Sequence, residues 1–226
     1  NSFEDKSLSL YFDQAQKLNL KINIHLEPFS NRTAISTIEA IKYIIDTYGN
    51  HPAMYLKNGK PMFYIYDSYL IKKEEWKKAF STIRNTKYDA ILIGLWVEKD
   101  VENFFLESNF DGFYTYFAST GFTYGSTPKN WKYLSDWAKK NNKIFIPCVG
   151  PGYSDTQVRP WNKQNYKSRE NGNYYDKMFG SAIQTEPQVI GITSFNEWHE
   201  GTQIEPAIPF KNDTFTYEHS RNRIKL

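Results

Sequence analysis

Six short runs of apolar, β-branched or aromatic residues recur along the chain: "KINIHLEP" from Lys21, "PMFYIYD" from Pro61, "AILIGLWV" from Ala90, "GFYTYF" from Gly112, "KIFIPCVG" from Lys143 and "VIGITSFNE" from Val189. They are too short for helices and too continuous for half-exposed strands, which predicts strands buried on both faces. Between them, "AISTIEAIKYIIDTYG" from Ala34, "PKNWKYLSDWAKKNN" from Pro128 and "NYYDKMFGSAIQTEP" from Asn173 place apolar residues at helical spacing, as does the opening stretch "LSLYFDQAQKLNL". Strand and helix therefore alternate, at about 22 to 46 residues between strand starts. That alternation predicts right-handed βα units on a parallel sheet.

Such units build either a doubly wound sheet or a barrel. No Gly-rich phosphate loop follows any of the runs, and polar or aromatic residues gather at their C-terminal ends: His25 and Glu27, Tyr66 and Asp67, Tyr114 and Tyr116, Glu197 and Glu200. In a β/α barrel these ends share one face, the face on which active sites are built. The expected fold is thus α/β, a (β/α)8 TIM barrel with about six of its strands in this chain, forming a single partial domain over residues 1–226. The chain opens within a helix, and the tail after Pro209 carries too many charges and too little periodicity for a closing helix. A fragment or truncated form of a larger barrel is expected.

Composition narrows the chemistry. Aromatic residues make up a high 17% of the chain, with 17 Tyr, 16 Phe and 6 Trp, rings that can fill a core, line an interface or form the platforms that carbohydrate sites need. The net charge of +3 is small and its Lys and Arg are interleaved with acids, which excludes the basic stripe of a nucleic-acid binder. One cysteine, Cys148, excludes an internal disulfide and a cysteine zinc site, and inside an apolar run it reads as a small buried group. No run reaches the ~18 apolar residues of a membrane span, and no signal peptide opens the chain, so any anchor or secretory signal lies outside it. The sequons at Asn31 and Asn212 are compatible with a lumenal location.

The last run ends in "SFNEWHEGTQIEP", where Glu197 and Glu200 stand three positions apart at a strand end. In a non-helical turn this spacing aims both carboxylates at one pocket, as general acid and base on either side of a glycosidic bond require. Loop glutamates are more often solvated, but Asn196, Trp198, His199 and Gly201 around this pair favour a site. A zincin helix would need a second His at position 203, which is Gln203. No metal or cofactor is expected, and no Gly-x-Ser-x-Gly elbow offers a serine nucleophile. His25 and Glu27 point to one side of their strand, either as a buried pair or as ligands for sugar hydroxyls. Arg159 and Trp161 lie on the long loop "GPGYSDTQVRPWN", where Gly, Pro and Asp read as turn punctuation.

"INIHLEP", "GNHP", "FYIYDSYL", "IRNTKYDA", "FDGFYTYFAS", "IPCVGPGYSDTQVRPWN" and "SFNEWHEGTQIEPAIP" together resemble glycoside hydrolase family 99, the endo-α-1,2-mannosidases, in particular its animal Golgi members. The resemblance implies a (β/α)8 barrel that cleaves within the glucosylated arm of a high-mannose N-glycan on glycoproteins. It implies release of a glucosyl-mannose oligosaccharide with retention, and attack by the substrate's own 2-hydroxyl through a 1,2-anhydro sugar. Glu197 matches the base that deprotonates this hydroxyl, and Glu200 the acid/base at the leaving oxygen. His25, Glu27, Tyr66, Tyr116 and Arg159 match substrate-contacting positions, and Asn196, Trp198 and His199 are taken as substrate-binding residues that shape the acid–base pair. The resemblance also implies a Golgi lumenal location, membrane attachment only through a segment absent from this chain, two further βα units before Asn1 and a closing helix. The competing expectation is an inactive or carbohydrate-binding truncated barrel.

Overall fold

A computed structural model describes residues 3–206, 208, 210–211 and 216–217. Its backbone falls into two compact units, Asn1–Leu95 with Asp100–Phe113, and Trp96–Lys99 with Tyr114–Leu226.

The first unit runs α1 (Phe3–Lys17), β1 (Ile24–Leu26), α2 (Ala34–Tyr48), β2 (Leu56–Lys57), β3 (Lys60–Ile65), α3 (Lys73–Ser81), β4 (Ile91–Leu95) and α4 (Glu102–Glu107), and reaches into β5 (Gly112–Tyr114). β3 pairs in parallel with β1, Ile24 opposite Phe63, and with β4, Met62 opposite Ile91. The apolar runs read as strands are thus strands, and β4 is buried at every position, as a parallel strand covered on both faces must be. β2 joins β3 antiparallel through Asn58-Gly59, both at positive φ (54° and 77°), the geometry of a tight hairpin turn. The core of the unit is aromatic: Trp76, Phe80, Phe105, Phe110 and Phe113 are fully buried, with the Trp76 and Phe80 rings each against Phe110. A Cβ at Gly94 would stand 2.9 Å from the Phe105 ring and 3.0 Å from Ser68 Oγ, so any larger residue there would have to displace one of them. That hydroxyl accepts the Leu95 N–H at 2.9 Å.

α2 begins where Thr33 and Ser36 cap each other's backbone N–H, a reciprocal capping box. Asp89, Arg84 and Asp111 form a second fixture. Arg84 donates to Asp89 at 3.1 Å and to Asp111 at 2.9 Å, Lys60 donates to Asp89 at 2.7 Å, and Asp111 accepts the Leu92 N–H at 2.8 Å. The starts of β3, β4 and β5 are thereby held to the end of α3.

The second unit carries α5 (Trp131–Lys140), β6 (Ile144–Ile146), β7 (Cys148–Val149), α6 (Asn173–Ile183) and β8 (Gly191–Ile192). The run "KIFIPCVG" is divided because Pro147 has no N–H to give a ladder. β7 and β8 pair in parallel, Cys148 opposite Gly191, where a Cβ would come within 2.5 Å of the Cys148 sulfur. Cys148 is buried, and burial pushes its thiol up to about 11. In the tail, β9 (Phe210–Lys211) and β10 (Thr216–Tyr217) pair antiparallel. The rest of the tail read as lacking a helix, with the sequon at Asn212, lies outside the described residues. Among the described residues no helix is long and apolar enough to cross a membrane.

Candidate active site

In the second unit the chain leaves β8 and closes a loop on itself. Ser194 and Thr202 exchange a backbone bond (Ser194 N to Thr202 O, 3.0 Å) and a hydroxyl contact of 2.8 Å, and Ile204 N returns to Ser194 O at 3.0 Å. Thr202 and Gln203 are buried, so the loop has its own polar floor. Ser194 Oγ also accepts the Glu197 N–H at 2.8 Å, fixing the residue before a 3-10 turn, Trp198–Glu200. The turn ends on Gly201 at φ 62°, a left-handed position where a Cβ would also crowd the Ser154 backbone at 3.1 Å. Trp198 Nε1 donates to Glu205 Oε2 at 2.9 Å, so the third carboxylate of the motif orients the Trp ring.

Glu197 is exposed and Glu200 is three-quarters covered, its side chain 23% exposed. Ser154 N donates to the Glu200 carbonyl at 2.8 Å, and Arg159 Nη1 reaches Glu200 Oε1 at 3.0 Å. The same Nη1 reaches Asp155 Oδ2 at 3.1 Å, and Asp155 is buried. Arg169 Nη2 donates to the carbonyls of Gly201 at 3.0 Å and Gln203 at 2.7 Å, clamping the far side of the turn. Burial raises the Glu200 carboxyl above its ordinary value. Arg159 pulls against it, the charges of Glu197 and Asp155 add to the rise, and burial prevails. Arg159, between two carboxylates, is held more firmly charged, by Asp155 first and then Glu200. The Tyr153 hydroxyl is pushed up by burial, then by Asp155 and Glu200.

Tyr116, in the same unit, sits at φ 49°, a left-handed conformation rare for a bulky residue. Its carbonyl accepts from Thr193 Oγ1, one residue before the Glu197 loop, and its ring lies edge-on to Tyr114 at 6.2 Å. Trp161 is 76% exposed on the long loop after β7. Asn196 and His199 are exposed on the Glu197 loop, where the Asn196 carbonyl accepts the Trp198 N–H at 3.0 Å.

The remaining candidates lie in the first unit and form a cluster there. His25 Nδ1 meets Glu27 Oε1 at 2.8 Å, and the His25 ring packs at 5.5 Å on that of Tyr66. Tyr66 N donates to Leu26 O at 3.0 Å, and Arg32 holds the Tyr66 and Asp67 carbonyls at 2.7 and 2.8 Å. The shared side predicted for His25 and Glu27 is thus realised as a direct contact, half open to solvent. Sequence reasoning missed Asp155, which it took for turn punctuation. The one available signal was its spacing of four from Arg159.

Residues 1–225 match the family model of glycosyl hydrolase family 99. The chain belongs to that family. Among similar family 99 proteins, a glycoprotein endo-alpha-1,2-mannosidase of Rattus norvegicus is 50% identical over 215 residues, 91% of this chain and 46% of its own length. A glycoprotein endo-alpha-1,2-mannosidase-like protein of Homo sapiens is 47% identical over 223 residues, 94% of this chain and 49% of its own. The chain thus spans about half the length of these relatives. The solved GH99 endo-alpha-mannosidase of Bacteroides thetaiotaomicron superposes with a TM-score of 0.91 at 53% identity, covering 96% of this chain and 65% of that one. The fold class of family 99 is the TIM barrel, and this chain carries part of one.

Proposed function

We propose that this chain is the part of a retaining endo-α-1,2-mannosidase that carries its acid and base, and that the protein trims glucosylated high-mannose N-glycans on glycoproteins in the Golgi lumen, releasing a glucosyl-mannose oligosaccharide. The observation that carries this reading is the unequal setting of the two glutamates. Glu200, covered and with its carboxyl raised by burial, keeps a proton to higher pH than an ordinary carboxyl and suits a general acid. Glu197, exposed one turn earlier, suits a base.

In the first step Glu197 takes the proton of the 2-hydroxyl of the mannose being cleaved, and that oxygen attacks C1 as the C1–O bond to the leaving sugar breaks. Glu200 gives its proton to the leaving oxygen. Water then opens the 1,2-anhydro ring at C1, surrendering a proton to Glu200, while Glu197 returns its proton to O2. Each carboxyl ends as it began. Arg159, held charged beside Glu200, steadies the carboxylate left after the first step.

The test is Glu200→Gln in the protein at its natural length. Cleavage of a substrate with a poor leaving group should fall at least ~100-fold, and of an activated aryl glycoside by much less, because the latter needs little protonation. Equal losses on both would remove Glu200 from the acid role.

A further inference from the structure

We propose that Asp155 is a positioning residue for Glu200, acting through Arg159, so that the acid is set by a buried carboxylate it never touches. This rests on the reading of Glu200 as general acid. An Arg Nη1 has two N–H bonds, and here one serves each carboxylate: 3.1 Å to Asp155 Oδ2 and 3.0 Å to Glu200 Oε1. Where Asp155 is fixed, the guanidinium is fixed, and with it the oxygen of Glu200.

Asp155 is itself well anchored. Its side chain is 1% exposed against 47% for Arg159, so the fixed end of the relay is the buried one. Asn162 Nδ2 donates to the same Oδ2 at 2.8 Å, and the Asp155 carbonyl accepts the N–H groups of Val158 at 3.0 Å and Arg159 at 2.7 Å. Asn162 in turn accepts from Asn165, whose carbonyl accepts from Ser119 Oγ at 2.7 Å. The residue before Asp155 holds the Glu200 backbone as well, through Ser154 N at 2.8 Å. Main chain and side chain of the acid are therefore registered to one short segment of the long loop.

The relay also moderates charge. Arg159 paired with Glu200 alone would hold that carboxyl ionised, and an acid without its proton is useless. By sharing the guanidinium, and by its own negative charge, Asp155 leaves Glu200 able to keep its proton. The groups that bear on Glu200 are Arg159, which favours its ionised form, and Asp155 and Glu197, which oppose it, while Tyr153 is a neutral neighbour.

Asp155→Asn keeps the shape and an acceptor oxygen but deletes the charge. Measured at natural length, with folding checked by thermal melting, the alkaline limb of kcat/KM should move toward lower pH. The sign follows from the role: an acid whose pKa falls is lost at a lower pH. Turnover of the poor-leaving-group substrate at neutral pH should fall about ten-fold, the limb having moved, with the aryl glycoside nearly unaffected. Asp155→Ser serves the same purpose if the Asn variant does not fold. An unmoved limb with equal losses on both substrates overturns the proposal and leaves Asp155 a loop-packing residue. If Glu200→Gln itself retains the limb, the acid assignment falls, and this is read independently of any Asp155 variant.

Discussion

At residue scale, Glu197 and Glu200 are separated by environment although their chemistry is the same, and the base assignment has its own check. If the substrate's 2-hydroxyl is the nucleophile, a substrate with hydrogen at C2 of the mannose being cleaved should not turn over, whatever its leaving group. Trapping a glycosyl ester on Glu197 would show a conventional covalent nucleophile instead. The two glutamates were legible in the sequence because carboxylates at a strand end flanked by Trp, His and Gly are an unusual set for a solvated loop. Asp155 was not. An Asp among Gly, Pro and Ser reads as a turn former, and what makes it more is Glu200, whose partner Arg159 lies 41 positions away in the chain. Tyr116 was noted for its place after a strand and given substrate contact only by the family resemblance, while its left-handed backbone, bound to Thr193, has no sequence signature.

At the scale of elements, the strands were legible as apolar runs, and β4, buried at every position, bears out the reading of strands covered on both faces, whereas β1 is half-buried throughout and β8 leaves Ile192 exposed. α3 and α4 were harder: α3 shows only Trp76, Ala79 and Phe80 as a buried face among lysines and glutamates, and α4 is six residues long. Both helices seat buried rings in the aromatic core, and the segment between α3 and β4 is fixed by polar contacts. The Asp89 side chain is only 8% exposed, which by itself raises its carboxyl, yet Lys60, the Asn85 N–H and Arg84 together hold it below its ordinary value. A carboxyl depressed in the folded state contributes stability above its unfolded pKa of ~3.9, and that contribution disappears as pH falls through the folded value. Asp89→Asn should therefore lower stability by about 1–2 kcal/mol at pH 7. The gap to wild type should begin to narrow below about pH 4 and close only once pH has fallen below the depressed folded value. A series of urea midpoints from pH 7 down to about pH 2 would check this, and a gap that does not narrow anywhere in that range would mean packing, not charge, is what the substitution removes.

At the scale of the whole molecule, the alternation of strand and helix was readable except where α3 and α4 lie, but the division into two compact units was not. It falls inside β5, between Phe113 and Tyr114, where the sequence is one unbroken apolar run and no linker marks it. In the second unit the described β7–β8 pair forms a two-stranded sheet, and Ile183, Ile192 and Phe195 are exposed. Unpaired edges and bare apolar surface invite aggregation. Residues 1–226 expressed alone should be aggregated or molten and inactive on a glucosylated high-mannose glycan, whereas the protein at natural length should be soluble and active. Size-exclusion chromatography and near-ultraviolet circular dichroism distinguish the two, and a monomeric, cooperatively melting, active 1–226 chain would overturn the expectation. Cys148 has a different consequence. It is the single thiol of these 226 residues, sealed against Gly191, and with its pKa near 11 only about one molecule in a few thousand carries the nucleophilic thiolate at pH 7.5. In the protein at natural length Cys148 would stay silent to alkylating dyes, so a reporter attached through Trp161→Cys would not share its signal with this thiol, and the loop that carries Arg159 could be watched optically with Cys148 left in place.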